Sequence, residues 1–180
     1  MKYSKSQVEK ALGEAQGLLN WTLNITVAAK VAGTFPENLQ MRVTTTGTPV
    51  EQVERAEVKL YGHTIRQNGK TSKAGEITAT FIEGTDQGVY DYFDPWINKS
   101  WSSNETDTTG TQALSADCKA TITITMFGPE DKATMTYKLI GCLVSWVNAP
   151  DLGQDVGIWQ PQIKIEFDDF KRGKGDKVQR

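Results

Sequence analysis

The chain has 180 residues, enough for one domain with a real core, and a modest hydrophobic content of 38%. Its formal charge of −2 hides an asymmetry, because the last ten residues hold five basic groups and one acid (+4), leaving −6 on the other 170. An acidic body is a poor nucleic-acid binder, and no apolar run approaches the ~20 residues that cross a bilayer.

The 21 threonines push the chain toward β structure. Met1–Leu19 carries no signal-peptide core, so folding in the cytoplasm and no membrane insertion are expected. Ser4–Leu19 reads as an amphipathic helix, with Val8, Leu12, Ala15 and Leu19 on one face. Trp21, Leu23, Ile25 and Val27 alternate with polar residues as a half-buried strand. Leu39, Met41 and Val43 read as a second strand, and Thr44–Val53 as a long polar loop. Ala56, Val58 and Leu60 form a third strand with Glu57 and Lys59 opposite. His63–Asn68 is short and β-like, and Asn68-Gly69 signals a turn.

Gly75–Trp101 is the central unit. Ile77, Ala79 and Phe81 alternate with Thr78 and Thr80, then Glu83-Gly84-Thr85 turns the chain into a helix capped by Asp86. Val89, Phe93, Trp96 and Ile97 are its expected anchors, each large apolar side chain contributing roughly 1.5–3 kcal/mol on full burial. Pro95 predicts a kink or a restart, since it cannot donate a backbone hydrogen bond. Lys99–Asp117 is a Ser/Thr-rich surface loop. Cys118, Ala120, Ile122, Ile124 and Met126 then pair across a Gly128–Asp131 turn with Ala133, Met135, Tyr137 and Leu139. Gly141–Gly157 reads as an extended connection, and Ile163, Ile165 and Phe167 as the last strand.

Catalysis finds no foothold in the pattern. His63 is the only histidine, and GxSxG, HExxH, P-loop and GxGxxG motifs are absent. Cys118 and Cys142 lack metal-ligand spacing, so they are buried free thiols or, in an oxidising medium, a disulfide. No cofactor and no metal are expected.

From about Asn20 to Lys171 the order of elements is similar to the tail tube protein of contractile-tailed bacteriophages. The Trp21–Val27 strand, an arm with Glu54, Val58 and Gly62, the acidic turn into a Trp-ended helix, "YKLIGCLVSWVNAPDLG" from Tyr137 and the closing "IKIEFDDF" carry the resemblance. It implies a mainly β fold with one or two helices, a β-barrel or β-sandwich subunit with a flanking helix that lends strands to a hexameric ring barrel. The domain would comprise an N-terminal helix (1–19), a core (20–171) and a flexible basic tail (172–180). Further implications are homohexameric rings stacked as the tube of a virion tail, and sheath, baseplate and tail-terminator proteins as partners. DNA would pass only transiently through a lumen whose acidic wall repels its phosphates. On that resemblance Arg42, Thr44, Glu57, Lys59, Thr78 and Thr80 are lumen-facing candidates. Pro49, Val50, Arg55 and His63 are candidates for contact between rings, and deleting Thr46–Gln52 should block polymerisation. Alternatives are the tube of a contractile injection or type VI secretion apparatus, and a monomeric β-sandwich binding module displaying Trp146 or Trp159.

Overall fold

The computed structural model describes residues 21–100, 114–128, 132–147, 158–175 and 177–178. The expected helix at Ser4–Leu19, most of the loop after Lys99 and the Gly128–Asp131 turn beyond Gly128 lie outside them. In chain order the elements are β1 (Trp21–Val27), α1 (Glu37–Gln40), β2 (Val43–Thr46), β3 (Gln52–Leu60), β4 (His63–Ser72), β5 (Gly75–Phe81) and α2 (Gly88–Ser100). Then come α3 (Ser115–Cys118), β6 (Ala120–Phe127), β7 (Ala133–Trp146), β8 (Gln162–Phe167), β9 (Asp169–Lys174) and β10 (Lys177–Val178). The fold is mainly β, as expected.

Eight strands form one antiparallel sheet in the order β1-β6-β7-β8-β5-β2, with β9 on β7 and β10 on β9. The 14-residue β7 is its spine. Its first half pairs with β6 and β9, and its second half, Leu143–Trp146, pairs with β8. The stretch from Gly141 expected to be a connection is therefore strand as far as Trp146. Gly141 makes the passage: its φ is 73°, and a side chain there would collide with Asp168. Asp168 is the matching break between β8 and β9, so one long hairpin serves both halves of the sheet.

Period-2 alternation places Leu23, Ile25, Ile122, Ile124, Leu139, Val144, Ile163, Ile165, Ile77 and Phe81 on the buried side. Helix α2 covers them with Val89, Tyr92, Phe93 and Trp96, spaced i, i+3, i+4 and i+7. Phe93 stacks on Trp96 at 6.2 Å between ring centroids, and the Trp96 indole donates to the Cys118 carbonyl at 2.7 Å. Of the kink or restart expected at Pro95, the restart does not occur: α2 runs unbroken from Gly88 to Ser100. Anchors on both sides of the proline, Phe93 before and Trp96 after, hold its two halves to one core. That packing outweighs the hydrogen bond Pro95 cannot make.

Three other expectations change. Leu39 and Met41 are not in a strand; Glu37–Gln40 is a single helical turn after Pro36, which buries Leu39 and leaves Met41 80% exposed. Cys118 ends a helical turn rather than starting β6. The basic terminus is partly sheet, since Arg172–Lys174 belong to β9 and Lys177–Val178 pair back onto Gly173 and Lys174.

Candidate assembly interface

β3 and β4 pair only with each other and project as an arm, with every residue of β3 and nearly all of β4 exposed. The register is Glu57↔Arg66, Val58↔Ile65 and Leu60↔His63. One face therefore carries Ala56, Val58, Leu60 and Ile65, and the other carries Arg55, Glu57, Lys59 and Arg66. The Arg66 guanidinium donates to Glu57 at 2.9 Å. Tyr61 and Gly62 turn the chain at the tip with φ of 48° and 81°, and Tyr61 is 99% exposed. Asn68-Gly69 is not the turn expected. It lies inside β4 at a bulge, where Gly69 and Lys70 together stand opposite Glu54. A Cβ on Gly69 would stand 2.5 Å from the Glu54 carbonyl oxygen, so this glycine serves close strand approach rather than reversal.

An isolated two-stranded hairpin is marginal in water, and an exposed aliphatic face marks a surface made to be covered. Covering the half-exposed Val58, Leu60 and Ile65 would contribute about 1 kcal/mol each. At the arm's root a cleft of about 550 Å³ is lined by Pro49, Val50, Lys73, Phe170, Lys171 and Arg172, among others. The path from β1 to β2 also leaves each of those two strands paired on one side only among the described residues. They flank a groove of about 460 Å³ lined by Trp21, Val43, Thr44, Thr45, Ile124 and Met126 among others.

The loop before α2 is held by a second constellation. Glu83 is buried, and its Oε1 accepts the backbone N–H groups of Gly84 (3.0 Å) and Val89 (3.1 Å) while Oε2 accepts that of Tyr90 (2.9 Å). Glu83 thus caps the helix start, and the expected cap, Asp86, joins it by accepting the backbone N–H of Gly88. Asp86 also takes both arms of the Arg42 guanidinium, at 2.8 and 2.7 Å, and that bond holds its carboxyl below the usual range. Arg42 also stands 3.6 Å from Glu83.

The six lumen candidates do not share one face. Arg42 is engaged at the start of α2, and Glu57 and Lys59 are on the arm. Thr80 is buried, with its carbonyl accepting the Thr44 hydroxyl at 3.2 Å. Only Thr78 lies on the exposed side of β5, in register with Lys164. Of the contact candidates, Arg55 and His63 lie on the arm, Val50 is 71% exposed at its root, and Pro49 is buried beside it. Val89, Phe93 and Trp96 are buried, and Ile97 packs on the same core. Cys118 and Cys142 are both buried free thiols, and burial pushes Cys142 up to about 12. Trp146 and Trp159 gather around Tyr90, with Tyr90 stacked on Trp146 at 5.3 Å and 6.2 Å from Trp159. The tip and the Glu83 cap went unread. Gly62 after an exposed aromatic was the only signal for the tip, and a cap acting across a six-residue loop leaves none.

No protein-family model matches this chain, and no curated protein matches its sequence. Solved structures do match its fold. A chain of the anti-feeding prophage baseplate aligns with TM-score 0.62 and 10% identity, over 90% of this chain and 97% of that one. A chain of the sheath–tube complex of an extracellular contractile injection system, PVC, aligns with TM-score 0.58 and 14% identity, over 96% and 99%. A chain of the PVC sheath/tube terminator aligns with TM-score 0.56 and 14% identity, over 90% and 99%. The chain therefore shares its fold with components of contractile injection assemblies, across nearly its whole length.

Proposed function

We propose that this protein is a structural subunit of a contractile injection apparatus, building its tube or the adjoining baseplate from many copies of itself. One observation carries the reading: a well-packed sheet that projects a solvated arm whose aliphatic face has no partner among the described residues. Oligomerisation supplies that partner and closes the half-paired edges at β1 and β2. The likeness to chains of a sheath–tube complex and its terminator supports sheath and terminator proteins as further partners. The role is structural rather than enzymatic. The narrower form of this reading, a phage tail tube that conducts DNA from hexameric rings, uses the same architecture; injection tubes are the form the fold comparisons favour.

Negative-stain microscopy and sedimentation of the concentrated protein test it. Rings or tubes of uniform bore are expected. Replacing residues 54–71 with a short turn should yield folded monomers. A wild-type protein that stays monomeric at high concentration refutes the reading.

A further inference from the structure

The two charge extremes of the chain sit at opposite ends of β7. At its first end Met135 is in register with Lys174, and β9 carries Arg172 and Lys174 on one face and Lys171 on the other. Lys138 stands directly across from Lys171. Like charges directly opposite one another in a sheet repel. Among the described residues no carboxylate pairs with Lys138, Lys171 or Lys174. At the other end, beyond Trp146, four carboxylates (Glu83, Asp86, Asp91 and Asp94) stand in and before the first turns of α2, with Arg42 beside the first two.

That acidic end is also unfinished. Tyr90 is 40% exposed over Trp146, and Ile82, Val147 and Ile158 beside it are 37%, 48% and 69% exposed. Among the described residues the buried Trp146 indole N–H has no acceptor. Among the described residues an apolar surface and an unsatisfied hydrogen-bond donor thus meet in one place.

We propose that the two ends are the halves of one head-to-tail contact, in which the basic β9 end of one copy seats on the acid-rimmed aromatic patch around Tyr90 of the next. Two different surfaces that complement each other form a heterologous contact, and such contacts repeat from copy to copy instead of stopping at a dimer. Charge fixes the direction, because basic-to-basic and acidic-to-acidic approaches are both repulsive. This rests on the self-assembly reading and adds a second contact, separate from the arm.

The test is a charge exchange in the full-length protein. Lys174→Glu and Asp91→Lys are both exposed substitutions, and melting of the dilute monomer should be unchanged. Each alone should raise the concentration needed for assembly at least about tenfold. The double variant, which restores opposite charges across the contact, should return it to within about threefold of wild type. As a direct readout, Lys174→Cys mixed with Asp91→Cys should form an intermolecular disulfide, and neither variant alone should. Assembly indifferent to the reversals, or a double variant without rescue, overturns this contact and leaves the arm-based reading standing. A wild type that never assembles overturns both.

Discussion

Removing the Glu83 carboxylate is the sharpest test of how the helix start is held. Its two oxygens accept three backbone N–H groups, and its side chain is only 1% exposed. In Glu83→Ala those donors lose a charged acceptor, and the Val89 N–H, which is buried, has no water to turn to. Loss of an N-cap costs about 1–2 kcal/mol, and a stranded buried donor about 1–3 more. Arg42 keeps Asp86, so no unpaired buried cation is added. The sum is about 2–5 kcal/mol, a large share of the 5–15 kcal/mol typical of a domain. Glu83→Gln keeps one acceptor oxygen and should cost about 1–2 kcal/mol. Urea unfolding followed by tryptophan fluorescence reads both, with Trp96 buried beneath the helix as reporter. An alanine variant as stable as the glutamine variant refutes the cap.

Three further outcomes follow from the same geometry. Arg42 lowers the pKa of Asp86, so their pairing should stabilise the fold above the ordinary carboxylate range and fade as pH falls through the depressed value. Urea titrations from pH 6 to pH 3 should therefore lose less stability in Arg42→Met, and an unchanged slope counts against the pairing. Burial raises Cys142 and Tyr92 to about 12 each, so stability should be full below the unfolded thiol value and fall as pH rises toward 12. Cys142→Ala should flatten the early part of that decline, though it costs some packing at neutral pH. Gly69→Ala drives a methyl group against the Glu54 carbonyl and should disrupt the arm, abolishing assembly while leaving the melting temperature of the core within about 3 °C. A large drop in melting would show that the arm is part of the core after all.

The core was legible where burial has one side. Ile77, Ala79 and Phe81, or Ile122 and Ile124, alternate because the sheet has one apolar face, and period 2 is readable in any such strand. The anchors of α2 were legible for the matching reason at period 3.6. What failed was local signalling that tertiary contacts override. Asn68-Gly69 has the composition of a turn, yet the backbone of Glu54 lies where a side chain would be, and the reversal falls at Tyr61-Gly62. Pro95 has the chemistry of a break, yet Phe93 and Trp96 pin both sides of it. The lumen candidates dispersed because alternation was read as if every strand stood in one wall. β3 carries the same alternation on an arm with no wall behind it. Glu57 and Lys59 stand on the arm's polar face, opposite Val58 and Leu60.

The length of β7 gives the subunit a mechanical character. Its backbone passes without interruption from the half of the sheet held by β6 and β9 to the half held by β8. A tensile load applied to either half reaches the other through covalent bonds rather than through side-chain friction. Pulled along its axis, β7 can slip only by shearing its hydrogen bonds to three strands together. The arm, loaded at its free tip, opens one rung at a time like a zipper. Force along the direction of β7 should therefore leave the body intact long after the arm has yielded.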